Sequence, residues 1–391
     1  MARTRGTAAA LAALLALTAS ACGASKDATS TSSAAAPPAS SADSSAPPAS
    51  AATTDAPEAT APLDSTATSS SATVPASTGK KIKIGLVSDQ GGLNDKGFNQ
   101  LSYEGVLKAK AELGAQVDVK ESKSPSDYIP NLTYFAARGY DIVITIGYNT
   151  GPALGKVAKQ YPKVHFAILD FSVTDPAIGS LPNVLGIQFK EQETGYLVGY
   201  LAGALAKRNF TKFAGKNVIS SVGGQKIPPV DHYIAGYQAG ARAADPAIKL
   251  LNGYSGDFVD QSKCKALAQA QIAQGSRVVF QVAGNCGLGV ITAAKDKGVW
   301  AIGVDADQAY LGAQVLTSSL KRVDQAVFQL AQRVQAGQFS GGKDDVVGLK
   351  EQGVGIGKIA AGIPPDVLAA VKEQEAKIVA GQITVPATVG K

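Results

Sequence analysis

Three aspartates each follow directly on an apolar run of the sequence, and together they could form a binding site for a polar ligand. Asp89, Asp170 and Asp305 end the segments GLVSD, FAILD and AIGVD. A carboxylate accepts pairs of hydrogen bonds from vicinal hydroxyls or from N–H groups. Open α/β sheets bind ligands at the carboxyl ends of their strands. A ligand with a sugar and a nitrogenous ring would suit these groups, although each aspartate alone could equally cap a helix.

The segment 88–100, SDQGGLNDKGFNQ, gathers further polar and aromatic groups after the first of these apolar runs. Its two adjacent glycines let the backbone bend and approach a ligand closely. Phe98 offers a ring that could stack on a ligand ring, and Asn99 offers an amide. Asp95 is expected to cap the helix that follows. An ordinary strand-to-helix connection would have the same spacing, so both interpretations stay open.

Common catalytic and metal-binding patterns are missing from the sequence. The two histidines lie apart in the sequence. His165 is at the start of a strand, and His232 is either at the start of a helix or a residue of the cleft. HExxH, Cys-x-x-Cys, Walker and G-x-S-x-G patterns do not occur. The Gly-rich turn that begins at Gly284 is either a tight connection or a set of backbone amides facing a ligand. We therefore predict no metal, no cofactor and no catalytic residues.

The elements that must position these residues form two series of alternating strands and helices. The first series runs from strand 82–87 to strand 184–189 and helix 191–207, and the second runs from strand 217–224 to strand 300–305. Alternation of this kind gives parallel, doubly wound sheets. We predict an α/β fold with two such lobes and a ligand cleft between them. The basic residues are scattered despite a net charge of +6, and there is a single Trp, so no nucleic-acid partner is expected.

The tail of the chain is less regular. It is predicted to contain a strand turning into helix 323–335, a hairpin or cross-lobe strand pair within 346–355, and helix 364–381. We assign about 80–188 plus about 312–345 to the first lobe. The second lobe then comprises about 189–311 plus about 346–391.

The amino-terminal residues predict export and a membrane anchor. Arg3 and Arg5 precede a short apolar stretch and small residues, the pattern of a secretory signal over 1–21. The signal ends in Thr-Ala-Ser-Ala before Cys22, which resembles the lipobox at which bacterial lipoproteins acquire diacylglyceryl on the Cys. Residues 23–78 are nearly all Ser, Ala, Thr and Pro, so we predict that 22–78 is a disordered tether. Plain secretion with cleavage near Ala21 is the alternative.

Two further cysteines, Cys264 and Cys286, would face an oxidising exterior. A disulfide between them would close a loop of about 22 residues and add on the order of 3 kcal/mol. Two free buried thiols are the other possibility.

Several ordered blocks of the sequence resemble the basic membrane protein (BMP, PnrA-like) family of lipoproteins, which are substrate-binding components of ABC importers. The resemblance covers 81–386 and is of the purine nucleoside receptor type. It is carried by VSDQGGLNDKGFNQ, IGYNTGPAL, FAILD, FKEQETGYLVGYLAG, VGGQKIPPVDHYIAGYQAGA, VVFQVAGNCGLGV, AIGVDADQ and LTSSLKRVD.

The resemblance implies a type I periplasmic-binding-protein fold with a nucleoside in the interlobe cleft. On that basis Asp89 and Asp305 would hold ribose hydroxyls, and Asp170 would read the edge of the base. Phe98 would stack on one face of the base and Phe280 on the other.

Asn99, the backbone of Gly284 and Lys321 would complete the polar shell. The chain departs from the family in having Gly97 where Ser is usual, and Asn285-Cys286 in a turn that is commonly Gly-Thr or Gly-Ser. The second departure leaves the base preference open.

The resemblance further implies a monomer on the extracytoplasmic face of the cell membrane that delivers its ligand to an ABC permease and its ATPase. Two alternatives remain from the sequence. One is an extracytoplasmic nucleoside sensor. The other is a nucleoside hydrolase, which would need a cluster of adjacent aspartates for Ca²⁺, whereas the aspartates here are dispersed.

Overall fold

The structure is a computed structural model, and it describes residues 79–390. The predicted signal segment, Cys22 and the whole of the predicted tether lie outside the described residues. Across the part that is described, no helix combines the length and hydropathy required to cross a bilayer.

Strands and helices alternate in the order that the sequence predicted. The first nine elements are β1 (Lys83–Val87), α1 (Phe98–Leu113), β2 (Gln116–Lys120), α2 (Tyr128–Ala136), β3 (Ile142–Thr145), α3 (Gly151–Gln160), β4 (His165–Leu169), β5 (Val184–Phe189) and α4 (Glu191–Lys207). The others are β6 (Val218–Gly223), α5 (Pro228–Ala244), β7 (Lys249–Tyr254), α6 (Gln261–Ala273), β8 (Val278–Val282), α7 (Leu288–Lys297), β9 (Trp300–Asp305), β10 (Val315–Lys321), α8 (Val323–Gln335), β11 (Lys343–Val347), β12 (Val354–Ile356) and α9 (Pro365–Val379).

Two six-stranded sheets define two lobes. The first has the order β11-β5-β4-β3-β1-β2, and the second has the order β12-β10-β9-β8-β6-β7. All pairs in the first sheet are parallel, and in the second sheet β12 runs antiparallel to β10. The central strands are buried along their whole length, as with IVIT of β3 and VVFQV of β8, because helices cover both faces of a parallel sheet. The predicted two-lobed α/β fold is confirmed.

In the carboxyl-terminal part of the chain, the boundary between the lobes differs from the predicted one. The sequence assigned 312–345 to the first lobe, but β10 pairs with β9 and lies in the second sheet. The connection between β9 and β10 is short, so β10 stays beside its predecessor. The chain crosses after β10, and α8 packs against α1 of the first lobe. β11 and β12 lie in different sheets, so the segment around 346–355 is a crossing and not a hairpin.

The long helices α4 and α5 cross with their backbones in contact. A Cβ atom at Gly199 would lie 2.1 Å from the Tyr237 carbonyl oxygen, and one at Gly236 would lie 2.0 Å from that of Gln192. These separations are far below van der Waals contact, so the two helices can approach this closely only because glycine occupies both positions. This close approach explains the Gly- and Ala-rich sequence of α4.

A disulfide joins Cys264 of α6 to Cys286, in the turn before α7, with the two Cα atoms 5.6 Å apart. Both residues are fully buried, and the bond links α6 to the turn that follows the carboxyl end of β8.

We expect the Cys264→Ala/Cys286→Ala variant to lose about 3 kcal/mol of unfolding free energy, because the unfolded chain regains the entropy of a loop of about 22 residues. Urea unfolding of the oxidised wild type and the variant measures the difference. Mass-spectrometric thiol counting without reductant is the control, and two free thiols at 264 and 286 in the wild type would contradict the bond.

Candidate functional site

A cavity of about 650 Å³, partly open to solvent, lies where the carboxyl ends of strands from both sheets meet. Its first-lobe walls follow β1, β3 and β4, and its second-lobe walls follow β8, β9 and β10. The lining residues are Asp89, Gln90, Asp95, Phe98, Asn99, Gly147, Tyr148, Asp170, Ile227, Pro229, Val230, Tyr233, Phe258, Val282, Ala283, Gly284, Asn285, Val304, Asp305 and Lys321. Seven of the eight predicted ligand residues are brought together here; Phe280 is the exception.

Asp89 is held in a fixed position after β1. Its carboxylate accepts hydrogen bonds from the Tyr128 hydroxyl and, at 2.7 Å, from the backbone N–H of Gln90. Gly147 lies against the same carboxylate with φ +92°, and a Cβ there would be 2.7 Å from Asp89 Oδ2. Burial raises the pKa of Asp89, although the Tyr128 hydrogen bond opposes the rise. Glycine at 147 therefore leaves the space that this carboxylate occupies.

Asp95 caps the helix that carries Phe98 and Asn99, as the sequence predicted. Its carboxylate accepts the backbone N–H groups of Gly97, Asn99 and Gln100 at 2.9–3.1 Å. The cap fixes the first turn of α1 against the cavity. The Asn99 amide donates to the Gln90 carbonyl at 3.2 Å, while its buried Oδ1 has no hydrogen-bond partner within the described chain.

Lys321, at the end of β10, is the centre of a buried charge cluster. Its Nζ lies 2.5 Å from Asp170 Oδ2 of the first lobe and 2.8 Å from Glu191 Oε1 at the start of α4. The ring centroids of Phe98, Phe189 and Tyr233 lie 4.7, 4.9 and 5.7 Å from the same ammonium. The side chain is 1% exposed, so the carboxylates and the aromatic faces replace its hydration.

The pKa values in this cluster follow from one ammonium shared by two carboxylates. Burial raises the pKa of Asp170 to about 7 against the opposing charge of Lys321. Burial acts the same way on Glu191, but Lys321 and His232 hold its pKa below the usual range. Burial would lower the pKa of Lys321, yet Asp170, Glu191 and Asp305 raise it. Of the two carboxylates that share Lys321, Asp170 is therefore the one whose protonated form is favoured.

Asp170 and Asp305 share an unusual backbone. Both have left-handed φ, +64° and +62°, a conformation that is uncommon for residues other than glycine and that concentrates at functional sites. Asp305 accepts the Tyr233 hydroxyl at 3.0 Å, and burial raises its pKa to about 6. Asp170 Oδ1 is buried without a hydrogen-bond partner among residues 79–390, so it is open to a donor on a ligand.

Aromatic rings line the cavity from both lobes, but the predicted contact from Phe280 is wrong. Phe280 is fully buried, and its ring centroid lies 5.1 Å from that of Tyr237 and 6.1 Å from that of Tyr233. It precedes the end of β8 by two residues, about 7 Å along the strand, which puts it in the core beneath the cavity. Phe258, in the loop after β7, lines the cavity instead.

Hydrogen bonds join the lobes across the cavity. Gln308 Nε2 donates to the Lys96 carbonyl at 3.0 Å, and Asn149 Nδ2 donates to Gln225 Oε1 at 3.2 Å. A Cβ at Gly97 of the first lobe would lie 3.4 Å from Asp305 Oδ2 of the second. With the Lys321–Asp170 pair, these contacts describe a closed arrangement of the lobes.

The site offers hydrogen-bond acceptors, one ammonium and flat apolar surfaces, which suits binding and not metal chemistry. In residues 79–390, no group of three or more His, Cys, Asp or Glu is placed to hold a metal ion. Sequence reasoning missed Tyr148, Tyr233, Phe258 and Glu191. Tyr148 and Phe258 had a usable signal, because each lies within a few residues of the end of a strand-like apolar segment.

Residues 81–389 match the family described as ABC transporter substrate-binding protein PnrA-like. The chain belongs to this family. Members are substrate-binding proteins of ABC transporters and not enzymes, so the chain is the extracytoplasmic solute-binding component of such a transporter. This membership fits import better than the sensor and excludes the hydrolase that were considered from the sequence.

Curated relatives agree with this membership. The chain is 37% identical over 329 residues to a CD4+ T-cell-stimulating antigen of Listeria monocytogenes, covering 78% of this chain and 88% of that protein. It is 33% identical over 328 residues to the ABC transporter nucleoside-binding protein BmpA of Lactococcus lactis, covering 78% and 89%. It is also 33% identical over 333 residues to an uncharacterized lipoprotein of Pyrococcus furiosus, covering 78% and 81%.

Solved structures share the fold. A solute-binding protein of an ABC transporter system from Aeropyrum pernix has a TM-score of 0.71 and 28% identity, covering 78% of this chain and 94% of that one. One from Conexibacter woesei has a TM-score of 0.62 and 28% identity, covering 79% and 100%.

Replacing Lys321 should reveal the free-energy cost of burying two carboxylates without a counter-charge. We expect Lys321→Met to destabilise the protein by about 3–5 kcal/mol at pH 8, since Asp170 and Glu191 are left buried without a counter-charge. A carboxyl group whose pKa is raised by folding stabilises the folded state at low pH, and this contribution is lost as the pH rises. The difference in unfolding free energy between wild type and Lys321→Met should therefore be smaller at pH 5 than at pH 8. Urea unfolding of both proteins at the two pH values tests this, and an equal loss at both would contradict it.

Proposed function

We propose that this protein is a lipid-anchored nucleoside-binding component of an ABC importer, which closes around a nucleoside and delivers it to the permease. The proposal rests on two acceptors, Asp170 Oδ1 and Asn99 Oδ1, that have no hydrogen-bond partner among residues 79–390. They belong to residues that line a cavity together with carboxylates and aromatic rings. A buried acceptor without a donor costs free energy, and a ligand with N–H and O–H groups would supply the donors.

The two halves of a nucleoside match different parts of the cavity. Asp89 and Asp305, from opposite lobes, would accept the vicinal ribose hydroxyls in pairs of hydrogen bonds. Asp170 and Asn99 would accept N–H groups on the edge of the base, which favours a purine with donors on that edge. Lys321 and the backbone of Gly284 would complete the polar shell.

The base would lie between aromatic rings. Phe98 on α1 would cover one face, and Phe258, which replaces Phe280 in this role, would cover the other. Because one ring comes from each lobe, stacking on a planar base would favour the closed arrangement over an open one. Closure would also remove the ligand from water and create the surface that a permease reads.

The relatives support the ligand class and the anchor separately. The Lactococcus lactis relative is named a nucleoside-binding protein, and the Pyrococcus furiosus relative is named a lipoprotein. The lipoprotein name, together with the lipobox-like sequence before Cys22, supports diacylglyceryl attachment at Cys22. The segment 23–78 would then hold the folded part away from the membrane, near the permease and its ATPase.

Isothermal titration with guanosine, inosine, adenosine, cytidine and uridine tests the ligand class. We expect binding, with purines favoured, and we expect Asp305→Ala to abolish it while the melting temperature stays within a few degrees. Asp296→Ala removes an exposed carboxylate of the same lobe and is the matched control. Absence of binding by all five nucleosides to folded wild-type protein would overturn the proposal.

The two phenylalanines offer a sharper test of the base site. We expect Phe258→Ala to weaken nucleoside binding about tenfold, equivalent to about 1.4 kcal/mol, because a stacked base loses its partner. Phe280→Leu should lower the melting temperature with a smaller change in affinity, since its ring lies in the core. If the variant at 280 loses affinity and the one at 258 keeps it, the assignment is reversed.

A further inference from the structure

A continuous line of charged side chains leads from the cavity to His232, a residue that does not line it. Lys321 connects Asp170 to Glu191, and Glu191 Oε2 lies 3.1 Å from Nδ1 of His232. Glu191 is 2% exposed, whereas the His232 side chain is 29% exposed. His232 is therefore far more exposed to solvent than the carboxylate it contacts.

His232 lines a second cavity of about 560 Å³, and Asp170 lines both this cavity and the first. The titratable groups that line this second cavity with His232 are Asp170 and Asp175 after β4, Glu191 on α4 and Tyr148. On the same helix as His232, Asp231 is engaged by Lys226 at 3.3 Å and by the Tyr254 hydroxyl. Glu191 is thus the carboxylate that directly contacts the imidazole.

The protonation of His232 decides the charge balance of the line. With a neutral imidazole, Asp170 and Glu191 share the single ammonium of Lys321, so the line carries one negative charge in excess, to which nearby Asp305 adds. An imidazolium reduces this excess by one charge, because Glu191 gains a second cation. An uncompensated buried charge is costly, so a neutral imidazole favours uptake of a proton by Asp170, and an imidazolium favours its ionised form.

We infer that Glu191 and His232 are positioning residues of the binding site, which act on the ligand through Lys321 and Asp170 and make ligand affinity depend on the protonation of His232. The inference rests on the proposed use of Asp170 as an acceptor for a donor on the ligand. An imidazolium at 232 would favour the ionised form of Asp170, which accepts a donor from the ligand. A neutral imidazole would favour the protonated form, in which the ligand loses that acceptor.

A ligand-free NMR titration tests the coupling first. The chain has two histidines, so the ring resonances of His232 and His165 can be told apart with one variant. We expect the titration midpoint of His232 to move to lower pH in Asp170→Asn. Without the Asp170 carboxylate, Lys321 compensates the charge of Glu191 more fully, and Glu191 then stabilises the imidazolium less. His165, whose ring packs on Phe339 at 4.1 Å, should titrate as before. An unmoved midpoint for His232 would overturn the coupling.

Affinity for the best nucleoside of the panel, at pH 5.5 and pH 8, tests the consequence. We expect the ratio of Kd at pH 5.5 to Kd at pH 8 to be at least threefold larger in His232→Gln than in the wild type. His165→Gln, the matched control, should keep the wild-type ratio. In a Glu191→Gln background, the His232→Gln change should no longer alter the ratio, because the connection is broken.

Equal ratios in His232→Gln and the wild type would overturn the inference, and so would a loss of affinity in His232→Gln that is the same at both pH values. Failure of the proposed function is a separate result, since it is absence of binding by the wild type at pH 8. In that event the NMR titration alone decides whether His232 and Asp170 are coupled.

Discussion

The closed cavity depends on one buried ammonium group. Lys321 meets carboxylates from both lobes, Asp170 of the first and Glu191 at the start of α4. A lysine with 1% exposure is stable only when such partners replace its lost hydration. The strand ends, the positive φ of Asp170 and the aromatic rings around the ammonium all serve to put these partners within reach. The same group fixes the electrostatics of the cavity, since the pKa shifts of Asp170 and Glu191 both depend on it.

A binding protein must hold charged groups in a closed cleft without leaving them unsatisfied. Asp89 and Asp305 are satisfied within their own lobes by Tyr128 and Tyr233, and Asp170 Oδ2 is satisfied across the cleft by Lys321. Among the described residues that line the cavity, the buried side-chain atoms without a hydrogen-bond partner are Asp170 Oδ1 and Asn99 Oδ1, both in the first lobe. Donors on a ligand would satisfy both.

Local sequence patterns predicted most of the fold. They could not predict how deeply each side chain lies within it, which limited the prediction of the site residues. Strand and helix order followed from apolar runs, and the carboxylates at strand ends were correctly expected to meet, because parallel strands share an edge. The predicted ligand contact of Phe280 was wrong because the sequence shows which strand carries the ring but not how far the ring lies from the cavity end of that strand. Glu191 was missed because its importance arises from its contact with Lys321. The wrong lobe was predicted for β10 because the short connection after β9, which keeps β10 beside its predecessor, was not taken into account.

The backbone contact between α4 and α5 has a consequence for how the cleft opens. Gly199 and Gly236 let α4 and α5 pack closely within the second lobe, and Glu191 and His232 lie near the cavity ends of these two helices. Lys321 belongs to the second sheet, whereas Asp170 follows β4 of the first. Separation of the lobes would therefore part Lys321 from Asp170 and leave its contact with Glu191 in place. The ammonium would keep one counter-charge in an open form.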